Sequence, residues 1–177
     1  SKQVEVIESV CVDKETFVPA AHEVGKDFVA GFIVPACFVI CAAKKVQCKI
    51  LTSSATEKHL GNLWGEIDRF IRTSKAPLLV ENGGELIYNH QHLGRAGNAD
   101  RSGGGWFPGG PIPEKDSYVI SAVVTSDYNG TGLSGHHAPW TLFVGDECSG
   151  MSSAAYEAAQ GWAEHMLLIG NPYPTVG

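Results

Sequence analysis

The chain has 177 residues, 44% apolar and 18% charged, enough to bury one sizeable core and too few for two ordinary domains. Its 21 glycines follow no collagen period, which excludes a fibre, and the apolar content excludes disorder of the bulk. With 13 Lys+Arg against 19 Asp+Glu, the formal net charge of −6 excludes a broadly basic coat for nucleic acid and confines any such contact to a small patch or an assembly.

In chain order, Val4, Ile7 and Val10 predict a short helix over 3–12, and Thr16-Phe17-Val18 a brief strand. A turn through Gly25-Lys26-Asp27 leads into an apolar segment, 28–43, whose length predicts a buried helix that Pro35 should kink or end. Gly31 and Pro35 interrupt this segment and Lys26 and Lys44 flank it, so no membrane span is expected. A strand is predicted over 46–52. Beyond the turn Ser53-Ser54-Ala55-Thr56, the residues Leu60, Leu63, Trp64, Ile67, Phe70 and Ile71 fall at helical spacing. Thr56 is the natural N-cap of that helix, with Glu57 in its first turn.

The pattern then loosens. One strand is expected at 85–88, and the glycine-rich stretch from Gly94 to Gly110, with Arg95, Arg101 and Trp106, reads as a long loop by composition. Strands are predicted at 118–125, 140–144 and 166–169, and a helix at 152–164. Strands alternating with helices imply an α/β fold with a mainly parallel central sheet flanked by helices. Five cysteines, Cys11, Cys37, Cys41, Cys48 and Cys148, are odd in number and lack CxxC spacing, which predicts buried, reduced thiols of a cytosolic chain.

Three segments carry chemistry. A strand, a turn ending Gly25-Lys26 and a helix form the arrangement whose backbone N–H groups and lysine cradle phosphates, although a plain strand-to-helix turn with a surface lysine has the same pattern. The strand Trp140-Thr141-Leu142-Phe143-Val144 runs through Gly145 into Asp146-Glu147. In a parallel sheet these acids share the carboxyl edge with Gly25-Lys26, the first suited to Mg²⁺ and the second to orienting a water, although a solvated Asp-Glu pair at a strand end is common in any α/β domain. Met166-Leu167-Leu168-Ile169 ends in Gly170-Asn171-Pro172, where Asn171 could contact a γ-phosphate or simply form a turn. Gly130-Thr131-Gly132-Leu133-Ser134-Gly135 matches GxGxxG but precedes His136-His137-Ala138-Pro139 and a strand, not the helix a dinucleotide site needs.

Taken together, Gly25-Lys26, Thr52-Ser53-Ser54-Ala55-Thr56 with the Trp64-Gly65-Glu66-Ile67 helix, the Gly135-His136-His137-Ala138 stretch, Gly145-Asp146-Glu147-Cys148-Ser149-Gly150 and Ile169-Gly170-Asn171-Pro172 resemble the ATPase domain of the large terminase subunit of tailed bacteriophages. The resemblance runs over nearly the whole chain, 1–177, as a single ATPase domain. It implies a P-loop NTPase fold of the ASCE/RecA-like kind, with Walker A near 20–27, Walker B at 141–147 and a coupling motif at 169–172. It also implies ATP and Mg²⁺ as cofactors, and a ring of copies that drives double-stranded DNA into the procapsid in the host cytoplasm, docked on the portal with the small terminase subunit.

Carried over by residue, Glu147, Lys26 and Asn171 are implied to be catalytic, and Gln3, Val24, Gly25, Lys26 and Asp27 to contact nucleotide. Asp146 and Asp27 are implied to face the metal. Asp27 departs from the usual Ser or Thr, Glu23 from a common glycine, and Ala20 occupies the first glycine position. No arginine precedes Gly25-Lys26, so a finger from a neighbour would come from Arg69, Arg72, Arg95 or Arg101, the loop residues Arg95 and Arg101 being better placed. The RNase H-like nuclease with which such subunits continue is not expected within these residues. An altered P-loop leaves a second reading, a nucleotide-binding module with weak or no hydrolysis.

Overall fold

Alternation along the strands divides the core into two halves. Leu142 and Val144 of one strand join Ile50, Leu167 and Ile169 in a cluster with Val10, Val29, Ile33, Leu63 and Ile67. Their sequence neighbours Phe143, Leu51, Met166 and Leu168 join Ala155, Ala159 and Trp162 in a second. Successive strand side chains point to opposite faces, so the sheet is covered on both sides.

The computed structural model describes residues 2–19, 25–74, 81–82, 85–86, 117–124 and 133–170. In order they form α1 (Lys2–Val12), β1 (Glu15–Pro19), α2 (Lys26–Ala43), β2 (Cys48–Ser54), α3 (Glu57–Thr73), β3 (Glu81–Asn82), β4 (Glu85–Leu86), β5 (Tyr118–Val123), β6 (Trp140–Asp146), a 3₁₀ turn (Cys148–Gly150), α4 (Ser153–Gln160) and β7 (His165–Gly170). The main sheet has the order β1-β7-β6-β2-β5, and every pairing in it is parallel. The strand expected at 85–88 is instead β4, paired antiparallel with β3 in a separate two-stranded unit.

The helix expected over 28–43 starts at Lys26 and passes through Pro35 without ending. Proline cannot donate to the carbonyl of Gly31, but Pro35 and its neighbour Val34 are buried, and tertiary packing outweighs the lost bond. Phe70 of α3 sits edge-on to Phe28 and Phe32 of α2, with ring centroids 5.0 and 5.5 Å apart. By length and composition α2 is apolar enough to cross a membrane; here Val29, Ala30, Ile33, Val34 and Phe38 lie in the core.

Helix starts follow the sequence closely. The Thr56 hydroxyl accepts from the His59 N–H at 3.3 Å, and Ser152 caps α4 by accepting from the Ala155 N–H at 3.2 Å, each satisfying an amide with no partner inside the helix. The 152–164 helix stops at Gln160, because Trp162 turns into the core and donates its indole N–H to the Leu133 carbonyl. A buried polar relay seats α3 on the sheet: Trp64 Nε1 donates to Thr52 Oγ1 at 3.0 Å, which donates to the Ile120 carbonyl at 3.1 Å.

Helices α2 and α3 cover one face and α4 the other. Strand β2 therefore leads to a helix on one side, while its neighbour β6 leads to a helix on the opposite side. Between their carboxyl ends the chain diverges, and in open α/β sheets such a divergence leaves the crevice where ligands bind.

Candidate functional site

Gly25 caps α2 with φ 76° and ψ 26°, the left-handed conformation that a residue without a Cβ adopts at little cost. That turn starts the helix at Lys26, whose side chain is aimed along the carboxyl edge of the sheet toward β6. Gln3 on α1 lies beside it, its Nε2 3.8 Å from where a Cβ on Gly25 would stand. Ala20, Glu23 and Val24 lie outside the described residues.

The ion-pair partner of Lys26 arrives from 121 residues downstream. Its ammonium forms an ion pair with Glu147 Oε1 and stands 3.3 Å from Asp146 Oδ1. All three side chains are largely enclosed, at 9% exposure for Lys26, 2% for Asp146 and 12% for Glu147. Asp146 is the last residue of β6. Glu147 follows with φ 53° and ψ 41°, an uncommon backbone for a residue with a side chain and one often found at functional turns. Strand β7 lies between β1 and β6, and Gly170 at its end packs against the turn after Glu147: a Cβ there would meet Cys148 Sγ at 2.8 Å and the Ser149 N–H at 3.2 Å. Asn171, one residue on, lies outside the described residues.

Burial pulls the Lys26 ammonium toward neutrality, but Glu147 and Asp146 together more than offset it and hold its pKa above the ordinary value. Burial pushes the Asp146 carboxyl up, and Asp27 adds to the rise while Lys26 opposes it. Asp27 is raised for the same first reason; Lys26 and His59 oppose the rise, and Glu147 and Glu66 add to it. Its Oδ1 is buried and has no hydrogen-bond partner among the described residues.

A folded-state pKa above 3.8 means that the native chain holds this proton more tightly than the unfolded one. Its contribution to stability is therefore present below 3.8 and lost as pH rises through the folded value. Asp27→Asn is expected to flatten part of that slope and raise the neutral-pH urea midpoint in metal-free buffer; identical slopes and midpoints in both proteins would exclude a buried charge at this position.

Other expected participants fall elsewhere. Arg69 is committed to Glu66, with Nε and Nη2 donating to Oε2 at 2.8 and 2.6 Å, and it stacks over Phe28 and Phe70 at 5.1 and 5.0 Å. Arg95 and Arg101 lie outside the described residues, as does the Arg72 side chain. His136 meets the Tyr118 hydroxyl at 2.5 Å and the Trp162 ring at 5.0 Å, which makes it a packing element of the second core half. The five cysteines are free thiols, but only Cys41 and Cys48 are buried, and Cys11 is exposed on α1, because position 11 falls on the outer side of a helix that buries only Val10.

Oxygen donors are what Mg²⁺ takes, usually through one or two carboxylates with waters completing the shell. Asp146 and Asp27 fit such an ion, and Ser54 is the register partner of Asp146 on the neighbouring strand. Among the described residues no group of three His, Cys, Asp or Glu is placed to chelate an ion directly, so the fit is to a hydrated cation. The ammonium and the N-terminus of α2 fit phosphate oxygens, and Asp27 in the first helical turn works against them. Sequence reasoning missed Ser54 and His59. Ser54 read as part of a turn, whereas it ends β2 directly opposite Asp146, and a strand-end serine next to a strand-end acid was the available signal. No family model, curated protein or solved structure matches the chain.

Proposed function

We propose that the chain hydrolyses nucleoside triphosphates at the carboxyl edge of its sheet, as the motor domain of a terminase that moves double-stranded DNA into a procapsid. The supporting observation is the convergence of Lys26 with Asp146 and Glu147, three enclosed charged side chains from segments remote in sequence. The DNA-packaging role rests on the resemblance in the ordered motifs. In this reading Lys26 exchanges its carboxylate partners for the β/γ-phosphate oxygens, and the turn at Gly25 presents its N–H groups to them. Glu147, released from the lysine, orients the attacking water and accepts its proton. Asp146 and Asp27 would hold Mg²⁺, which supplies charge neutralisation on the phosphates. Gln3, beside Gly25, would contact the base of the nucleotide, and Asn171 follows the strand that abuts the Glu147 turn.

The half-buried carboxyl of Asp27 beside Lys26 favours a second reading, in which nucleotide binds and is turned over weakly or not at all. The deciding measurement is phosphate release from ATP·Mg²⁺, with and without double-stranded DNA, over a range of protein concentrations. Turnover that rises with DNA and more than proportionally with protein is expected for a site completed between copies. Binding of ATP with no phosphate released under any of these conditions supports the second reading and overturns the first.

A further inference from the structure

Four side-chain atoms among the described residues are buried without a hydrogen-bond partner: Asp27 Oδ1, Ser54 Oγ, His59 Nδ1 and Asp146 Oδ1. For the last of these, the Lys26 ammonium stands 3.3 Å away as an ion-pair partner. Buried polar groups in folded proteins are nearly always bonded, and each exception calls for a cause. Imperfect packing would scatter such atoms through the fold. All four instead gather at the carboxyl edge, in the last residues of β2 and β6 and the first turns of α2 and α3.

The register brings them together. Ser54 is the Cα partner of Asp146 across the β2–β6 pair, so both side chains leave the sheet on the same face. Thr52, two residues earlier, uses that face to meet Trp64 of α3, which identifies it as the side covered by α2 and α3. Ser54 is 2% exposed and Asp146 3%, both deep in the crevice opened by the divergence of β2 and β6. His59 stands in the first turn of α3, just beyond Ser54, and Asp27 in the first turn of α2, so both lie at this edge of the sheet. Asp146 and Glu147 pair with the Lys26 ammonium and Asp27 acts on it electrostatically, leaving two negative charges when all three carboxyls are ionised, so the crevice suits a cation.

We propose that Ser54 and His59 complete this site by holding the water shell of a divalent cation bound at Asp146 and Asp27. The inference rests on the preceding reading, in which Asp146 faces a cation. Neither residue is a direct ligand; Ser54 Oγ and His59 Nδ1 bond to cation-bound water from the β2–α3 side, as outer-shell groups do in metal sites generally.

The test uses the full chain and Mn²⁺ alone, with free Mn²⁺ read by electron paramagnetic resonance and the melting temperature by calorimetry. One Mn²⁺ is expected per chain. Ser54→Ala should weaken it by about tenfold while leaving the melting temperature of the metal-free protein unchanged or higher, because the substitution removes an unpartnered buried hydroxyl. His59→Phe should weaken it similarly, and bound Mn²⁺ should broaden the His59 ring proton signals in wild type but not in Asp146→Asn. If Asp146→Asn loses Mn²⁺ while Ser54→Ala and His59→Phe bind it as wild type does, the role of Ser54 and His59 is overturned and that of Asp146 stands. If wild type binds no Mn²⁺, both fall.

Discussion

Lys26→Ala is expected to lower ATP turnover by at least about a hundredfold, the scale on which removing one preorganised charged donor acts on a reacting phosphate or oxyanion. It should also destabilise the fold by on the order of 3 kcal/mol at neutral pH, because truncation leaves Asp146 and Glu147 buried without their counter-charge. The two losses have separate signatures. The stability loss depends on ionised carboxylates, so it shrinks as pH falls and Asp146, already raised above 3.8, takes up its proton. In wild type, the raised Lys26 pKa means that its stabilising contribution is present below the ordinary lysine value of 10.5 and lost only as pH climbs through the folded value. Urea denaturation at neutral and acidic pH reads the stability loss, and phosphate release reads the loss of turnover. Adding Asp146→Asn should restore part of the stability and none of the turnover. Unchanged turnover in Lys26→Ala would remove the lysine from the chemistry altogether.

Glu147→Gln separates binding from hydrolysis. The amide keeps the shape of the side chain but can no longer accept a proton from water, and loss of a positioned base typically costs a factor of about 10²–10⁴ in rate. Turnover is therefore expected to fall at least a hundredfold while KM for ATP stays the same or drops, since one carboxylate fewer faces the phosphates. Lys26 retains Asp146 at 3.3 Å, so the fold should suffer less than in Lys26→Ala. Glu147→Gly should be equally inactive yet better tolerated by the backbone, because φ 53° costs a residue with a Cβ roughly 1 kcal/mol that glycine does not incur. A Glu147→Gln protein that hydrolyses ATP at the wild-type rate would show that this carboxylate is only a structural partner of Lys26.

Much of this was legible in one dimension because it depends on local periodicity. Leu60, Leu63, Trp64, Ile67 and Ile71 form the inner face of α3, as their spacing demands, and Thr56 caps it. The apolar strands that end at Asp146 and Gly170 sit side by side and parallel, as alternation of strands and helices implies. At Pro35 local reasoning reaches its limit: the helix does not end there, because the cost of a missing hydrogen bond is visible in sequence while the burial of Val34 and Pro35 that outweighs it is not. Exposure of Cys11 was hidden for a related reason, since a helix with a single fully buried residue reveals its inner face only once it is docked.

By itself the sequence determined the element types, the α/β class and the identity of the charged residues at the strand ends, because helix caps, turn residues and apolar periods act over a few neighbours. Only the tertiary structure decided that Lys26 reaches Asp146 and Glu147, that β7 separates β1 from β6, and that Ser54 stands opposite Asp146. Strand order and register are set by how whole faces bury against one another across long sequence separations, and no window of neighbouring residues contains that information.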